Sequence, residues 1–318
     1  MTSNSTAPKV EAVANGVERP MLSVMIPTFN CASYLRQTLA SVMAQDFVPA
    51  EMQIEVVDDC STKDDPQAVV EEVGRGRVTF FRKPKNEGAV ANFNTCIERS
   101  RGRYVHILHG DDYVLPGFYD EIDRLRQQAP SAALLACRIF GVNEANEILW
   151  VSPLVEELRS NTRVARAFYY ESVLQFCGVV LARDFLESSG GFLPTLCHSA
   201  DWEMWSRAVS AGGGIISANV LAAYRTFAAN DSGRLMQSGD NIRDYMRLFA
   251  IFEDRFEDFQ METAVLRAAN LAKQQSEGFA RKGNAAAVEA NLRLWREIAP
   301  RKMQLKETVK GWLRGGFK

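Results

Sequence analysis

Two adjacent acids, Asp111 and Asp112, stand near the middle of the segment YVHILHGDDYVLP, residues 104–116. Residues 104–108 are rich in β-branched and apolar side chains, as a buried strand requires. The chain then turns at Gly110, and Pro116 suits the first position of a helix. A carboxylate pair at the C-terminal tip of a strand stands where open α/β sheets take their ligands. Hard divalent cations prefer such oxygens, and Mg²⁺ is commonly held by one or two carboxylates together with substrate phosphates. An acidic pair also caps a following helix, and the pair taken alone does not separate the two roles.

Acids recur at such tips. Asp58 and Asp59 close the apolar run QIEVVD, and Pro27, Thr28, Phe29 and Asn30 close LSVMIP and open a helix. In a parallel sheet these tips face one crevice, and a helix N-terminus there favours anions. Turn chemistry accounts for PTFN and capping for Asp58-Asp59 when each is taken singly. Three polar tips on one edge favour a binding site.

The elements that must position these tips follow from periodicity. Strands are expected at residues 22–27, 53–58, 78–82 and 104–108, with helices at 33–44, 66–73 and 88–99. Such alternation predicts an α/β fold with a mainly parallel sheet flanked by helices, built from right-handed βαβ units. Residues 132–150 then predict two strands around a turn at 143–146. Further strands are expected at 175–181 and 215–225, and a helix at 202–211 stopped by three glycines. From about residue 239 the strand signals cease, and 241–258, 263–281 and 285–298 have amphipathic helical periods.

Composition limits the class of function. The 318 residues are 47% hydrophobic and 24% charged, as in globular proteins. A net charge of −2 argues against bulk electrostatic binding of nucleic acid. No apolar run approaches the ~20 residues needed to span a bilayer, and residues 1–20 lack a signal-peptide core. The six cysteines are scattered without a CxxC pair, so neither a zinc ribbon nor a redox motif is suggested. A cytoplasmic protein with reduced cysteines is expected. No GxGxxG follows the first strand and no GxxxxGK[ST] occurs, which removes dinucleotide oxidoreductases and P-loop enzymes.

Residues 20–230 resemble the family 2 glycosyltransferases of the GT-A fold. SVMIPTFNCASYLRQTLASVMAQ is similar to their opening strand and helix, and VVDDCSTKDD to their second strand with its nucleotide-contacting acid. RKPKNEGAVANFNTCIERSRGRYVHILHGDD resembles their Asn-x-Gly helix, here Asn86 to Gly88, followed by the metal motif. Gly190-Gly191-Phe192 resembles an acceptor-side motif, and ADWEMW, residues 200–205, the segment of the catalytic base.

The resemblance implies roles. Asp112, with Asp111, would hold Mg²⁺ or Mn²⁺ on a nucleoside-diphosphate sugar. Pro27, Thr28, Asn30, Asp58, Asp59, Asn86 and Gly88 would line the nucleotide site, with Asp59 toward the base. Asp201 would be the general base of an inverting transfer to a glycan or lipid-linked acceptor, with His198 the alternative. A first-turn acid such as Asp201 also serves a helix dipole, and Trp202 and Trp205 are as suited to a core as to a sugar pocket. Many members carry a further acid two residues before the pair; His109 stands there and would contact the metal, bond a phosphate or simply end the strand.

The implied organisation is a flexible leader (1–19), a nucleotide-sugar-binding half (20–130), an acceptor-binding half (131–238) and a helical C-terminal region (239–318). A non-catalytic sugar-nucleotide-binding relative remains an alternative, as does a metal-dependent phosphohydrolase, which leaves Gly-Gly-Phe and ADWEMW unexplained. Residues 301–318 (RKMQLKETVKGWLRGGFK) mix basic and apolar positions. They suit either an anionic membrane surface on the inner face of the membrane or a solvated, fraying helix.

Overall fold

The computed structural model describes residues 6–14, 16–46, 51–154, 168–227 and 231–305. Two compact units divide the chain, Met1–Phe227 and Ala228–Lys318.

The first unit is a mixed α/β structure. Its opening half holds β1 (Leu22–Thr28), α1 (Ala32–Met43), β2 (Met52–Asp58), α2 (Pro66–Gly74), β3 (Thr79–Arg82), α3 (Ala89–Arg99) and β4 (Tyr104–Ile107). Strand β1 is central, with parallel neighbours on both sides. Val24, Met25 and Ile26 are fully buried, which is why β1 reads as an unbroken apolar run rather than an alternating one. Helix α1 buries Leu35, Thr38, Leu39 and Val42 at helical spacing. Helix α2 begins at a side-chain cap, Asp65, which accepts from the amides of Gln67 and Ala68, with Pro66 following.

The later half adds β5 (Tyr113–Val114), α4 (Phe118–Gln128), β6 (Leu134–Val142), β7 (Ile148–Val151), β8 (Val179–Ala182), α5 (Arg183–Ser189), α6 (Ala200–Gly212) and β9 (Gly214–Arg225). Among the described residues, nine strands form one sheet in the order β3-β2-β1-β4-β8-β6-β9-β5, with β7 on β6. The β3-β2-β1-β4 part is parallel; β8 joins antiparallel to both β4 and β6, while β9 is parallel to β6.

Several details differ from the expectations. The pair β5–β9 sets Tyr113 opposite Ala223, so the turn after β4 leads into a strand before α4 begins. Residues 176–178, expected as strand, form a single 3₁₀ turn ahead of β8. Trp202 and Trp205, weighed as pocket walls, are only 3% and 2% exposed and belong to the core. The Trp202 indole N–H donates to the Phe168 carbonyl. Residues 6–14, expected within a loose leader, lie on the first unit: Val10 is buried, Gly191 N donates to Pro8 O (2.8 Å), and Arg183 donates to Glu11 O (3.0 Å). An irregular segment held through its carbonyls leaves no periodic signature.

In the second unit are α7 (Asp231–Ser238), α8 (Asp240–Arg255), α9 (Met261–Arg281) and α10 (Ala285–Ile298). Helix α8 buries Ile242, Leu248, Phe249 and Phe252, while α9 buries Ala264, Ala268, Ala269 and Ala272, a stripe at helical spacing. Among the described residues no helix is long and apolar enough to cross a membrane. The proposed tail falls mostly on residues 306–318, which lie outside the described residues.

Candidate active site

The three polar tips meet at one edge of the sheet. Thr28 pairs with Asp58 in the β1–β2 register, and past it the Asp59 amide donates to Thr28 O at 2.9 Å. On the other side of β1, Leu108 N donates to Met25 O and Gly110 N to Pro27 O, both at 3.0 Å. Space at Gly110 is tight: a Cβ would come 3.0 Å from Cys31 Sγ and 3.1 Å from Thr28 Oγ1.

The turn after β1 is bound to the loop after β2. Asn30 takes a left-handed φ of 51°. Its side-chain oxygen accepts from Thr62 N (2.9 Å) and Lys63 N (3.0 Å), and its own amide donates to Ser61 Oγ (2.8 Å). Thr28 Oγ1 lies 2.9 Å from Cys31 Sγ. Burial, then the charge of Asp111, pushes the Cys31 thiol up to about 12.

The acids after β2 are engaged within the protein. Asp58 accepts from Ser61 Oγ (2.5 Å) and pairs with Arg82 Nε (2.6 Å). Asp59, 2% exposed, accepts from the amides of Glu87 (3.0 Å) and Gly88 (2.8 Å) and pairs with Lys83 Nζ (3.0 Å). Asn86 Nδ2 donates to the Asp59 carbonyl at 3.1 Å, and Gly88 at φ 89° leads into α3. The carboxylate of Asp59 thereby shapes the Asn86–Gly88 loop.

The acids after β4 are arranged differently. One ligating atom each from His109, Asp111 and Asp112 lie within 4.8 Å of one another. Asp112 Oδ1 accepts from Arg225 N (2.8 Å), while its buried Oδ2 has no hydrogen-bond partner. Burial, and then the charge of Asp111, pushes the Asp112 carboxyl well above the usual carboxylate range, against the pull of Arg225. An unpartnered buried oxygen beside a second acid and an imidazole is a donor set that suits a divalent cation. Thr38 Oγ1 from α1 reaches Gly110 O (3.0 Å) and Asp112 O (2.7 Å), which fixes the turn from below. His109 stacks on Phe93 (4.9 Å) and tilts against Phe176 (4.4 Å), so its ring is held by aromatic packing.

Asp201 lies in the first turn of α6, half-buried, and its Oδ1 accepts from Trp202 N (2.7 Å). That helix is fixed to Gly-Gly-Phe. Buried Glu203 pairs with Arg207 (3.0 Å), and Arg207 donates to the carbonyls of Ser189, Gly190 and Gly191. Asn94 of α3 bonds Phe192 through both N (2.8 Å) and O (3.0 Å). Phe192 itself is fully buried, so the motif secures α3, α6 and residues 7–8 together. His198 is half-buried just ahead of α6.

Two residues around the site were not anticipated, Lys83 and Arg225. A buried lysine beside a strand tip and an arginine at the end of the last strand are charged residues where apolar ones are usual, and that was their one signal.

A mixed sheet of this order flanked by helices is a GT-A-type fold. The family model described as "Glycosyl transferase family 2" matches residues 23–186, just over half of the 318 residues. The chain belongs to glycosyltransferase family 2 and is a transferase enzyme. The putative teichuronic acid biosynthesis glycosyltransferase TuaG of Bacillus subtilis (strain 168) is 35% identical over 96 residues, 30% of this chain and 37% of that one. Among solved structures, Staphylococcus aureus TarS 1–349 in complex with UDP-GlcNAc superposes with a TM-score of 0.55 at 16% identity, covering 87% of this chain and 91% of that one. The mannosyltransferase PcManGT from Pyrobaculum calidifontis, in complex with GDP-Man and Mn²⁺, gives 0.54 at 17% identity over 96% and 83%. Both share the fold.

Proposed function

We propose that this enzyme moves a sugar from a nucleoside-diphosphate sugar to an acceptor hydroxyl with inversion at the anomeric carbon. The observation that carries this reading is the His109, Asp111 and Asp112 cluster, with its unpartnered Asp112 oxygen, at the edge where three strand tips meet. These three residues would hold Mg²⁺ or Mn²⁺, which when bound neutralises charge on the diphosphate leaving group. Thr28, Asn30 and the Asn86–Gly88 loop braced by Asp59 form the nucleotide side. Asp201 takes the proton of the acceptor hydroxyl as its oxygen bonds C1 and the C1–diphosphate bond breaks. In one displacement the oxygen enters opposite the leaving group, which gives inversion.

The donor half is assigned to residues 20–130 and the acceptor half to 131–238, with a helical region beyond. The structures of TarS with UDP-GlcNAc and of PcManGT with GDP-Man and Mn²⁺ support UDP- or GDP-sugars as the donor class. The likeness to TuaG supports a role in surface glycan or polysaccharide assembly. A cytoplasmic enzyme meeting a lipid-linked acceptor at the membrane surface through residues 301–318 completes the reading.

The test is release of nucleoside diphosphate from a panel of UDP- and GDP-sugars with Mn²⁺ or Mg²⁺, for wild type and Asp112→Asn. Turnover by wild type that Asp112→Asn lacks supports the proposal. Failure of every donor to be turned over, together with no nucleotide raising the melting temperature, removes it.

A further inference from the structure

Arg225 ends β9 and is 1% exposed. Removing a guanidinium from water is costly unless it is compensated. Among the described residues, every hydrogen bond of this guanidinium goes to a neutral oxygen. Nε donates to the main-chain carbonyl of Asp111 (2.9 Å) and one terminal nitrogen to Gln37 Oε1 (2.7 Å). The other reaches the carbonyls of Asn143 (3.2 Å) and Glu144 (3.4 Å) in the β6–β7 turn. The rings of Tyr34 and Tyr113 lie 4.8 and 5.6 Å from the guanidinium carbon. The Tyr34 hydroxyl in turn donates to Glu144 Oε1 at 3.0 Å.

One residue thus ties together four pieces of chain: the end of β9, the Asp111-Asp112 turn, α1 and the β6–β7 turn. Its main-chain amide holds Asp112 Oδ1. That bond leaves Oδ2 as the carboxylate oxygen without a partner. A fixed fork of donors can satisfy several carbonyls at set angles, whereas an ammonium is a single point charge on a flexible stem.

We infer that Arg225 is a positioning residue for the cation-holding turn, and that through it the β6–β7 turn and α1 set how well Asp111 and Asp112 bind a divalent cation. This rests on the metal reading of that turn. Arg225 acts through the main chain of Asp111 and the carboxylate of Asp112, as groups behind metal ligands do in orienting them.

The experiment is Mn²⁺ titration of the full chain, followed by the electron paramagnetic resonance signal of free Mn²⁺, with thermal melts alongside. The proteins are wild type, Arg225→Gln, Arg225→Lys and Gln37→Ala. Arg225→Gln should raise the Mn²⁺ dissociation constant about 10- to 100-fold, the usual effect of removing such a supporting group. Arg225→Lys should recover part of that loss. Gln37→Ala, which leaves the turn itself untouched, should move the constant in the same direction by less. Wild-type affinity in a folded Arg225→Gln protein overturns the inference while leaving the metal reading in place. If Arg225→Gln does not fold, wild-type affinity in Gln37→Ala overturns it instead. A wild-type protein that binds no Mn²⁺ removes the metal reading, and this inference with it.

Discussion

Lys83 Nζ stands 3.0 Å from Asp59 Oδ1 and 2.9 Å from Glu87 Oε2 although the lysine is only 4% exposed. Burial alone would lower its pKa, but the carboxylates of Glu87 and Asp59 beside it outweigh burial and hold the lysine above its ordinary value. The pair and the Glu87 and Gly88 amides together fix the loop that follows β3.

Replacing Lys83 with Met keeps the bulk of the stem and leaves the buried Asp59 carboxylate without its cation. Stability should fall by on the order of 3 kcal/mol, the cost of breaking a buried pair. Nucleoside diphosphate should bind more weakly, with Mn²⁺ affinity unchanged because the Asp111-Asp112 turn lies across β1. Calorimetry with nucleotide and with metal separates the two, and equal losses in both would contradict the assignment.

Asp201→Asn preserves the shape of the first turn of α6 and removes its ability to accept a proton. Transfer should drop about 10²- to 10⁴-fold, the range for a positioned base, with donor binding nearly unchanged. Full kcat in this variant would pass the role to another group, with His198 next to be replaced.

His106 gives the stability a pH dependence. Its ring is buried, stacks on Phe118 and lies 3.2 Å from the Tyr119 hydroxyl. Burial holds its pKa down to about 3, against 6.5 in the open. The unfolded chain therefore takes up the proton first, so the contribution of the neutral ring is present above about pH 6.5 and is lost as pH falls toward 3. The slope in that window is roughly 1.4 kcal/mol per pH unit. Denaturant melts from pH 7 to pH 4 should show His106→Phe losing less stability than wild type; parallel profiles would exclude this histidine as the source.

Gly191→Ala should destabilise the protein. A Cβ there would lie 2.3 Å from Asn94 Oδ1, the atom that accepts from Phe192 N. Overpacking of this kind costs about 1–3 kcal/mol. Adding Asn94→Ser relieves the clash and should return part of the loss, a coupling that a double-mutant cycle measures. Strict additivity of the two changes would mean that the contact does not set the cost.

The tips of β1, β2 and β4 were legible because each joins an apolar run to an abrupt polar turn, a contrast that survives in one dimension. The period of α1 was equally plain, since Leu35, Leu39 and Val42 face one core. Strand β5 left no such trace: two residues form it solely by pairing with β9, more than a hundred positions away. The insertion of β8 between β4 and β6 is likewise a non-local choice. Trp202 and Trp205 could not be assigned because an aromatic at helical spacing suits a core and a sugar wall alike. Lys83 and Arg225 escaped notice because composition places charged side chains in water, and only the folded chain shows what their burial secures.

On the proposed function, the Asp111-Asp112 turn and the two neighbouring tips form one site for a nucleoside diphosphate and a divalent cation. Calorimetric titration of UDP and GDP into the full chain, with Mn²⁺ and then with a chelator, tests it most directly. One of the two nucleotides should bind in the presence of Mn²⁺, lose at least about tenfold in affinity with the chelator, and lose the same in Asp112→Asn, within the range expected when a metal ligand's support is removed. Equal nucleotide affinity with chelator, with Mn²⁺ and in Asp112→Asn would contradict it.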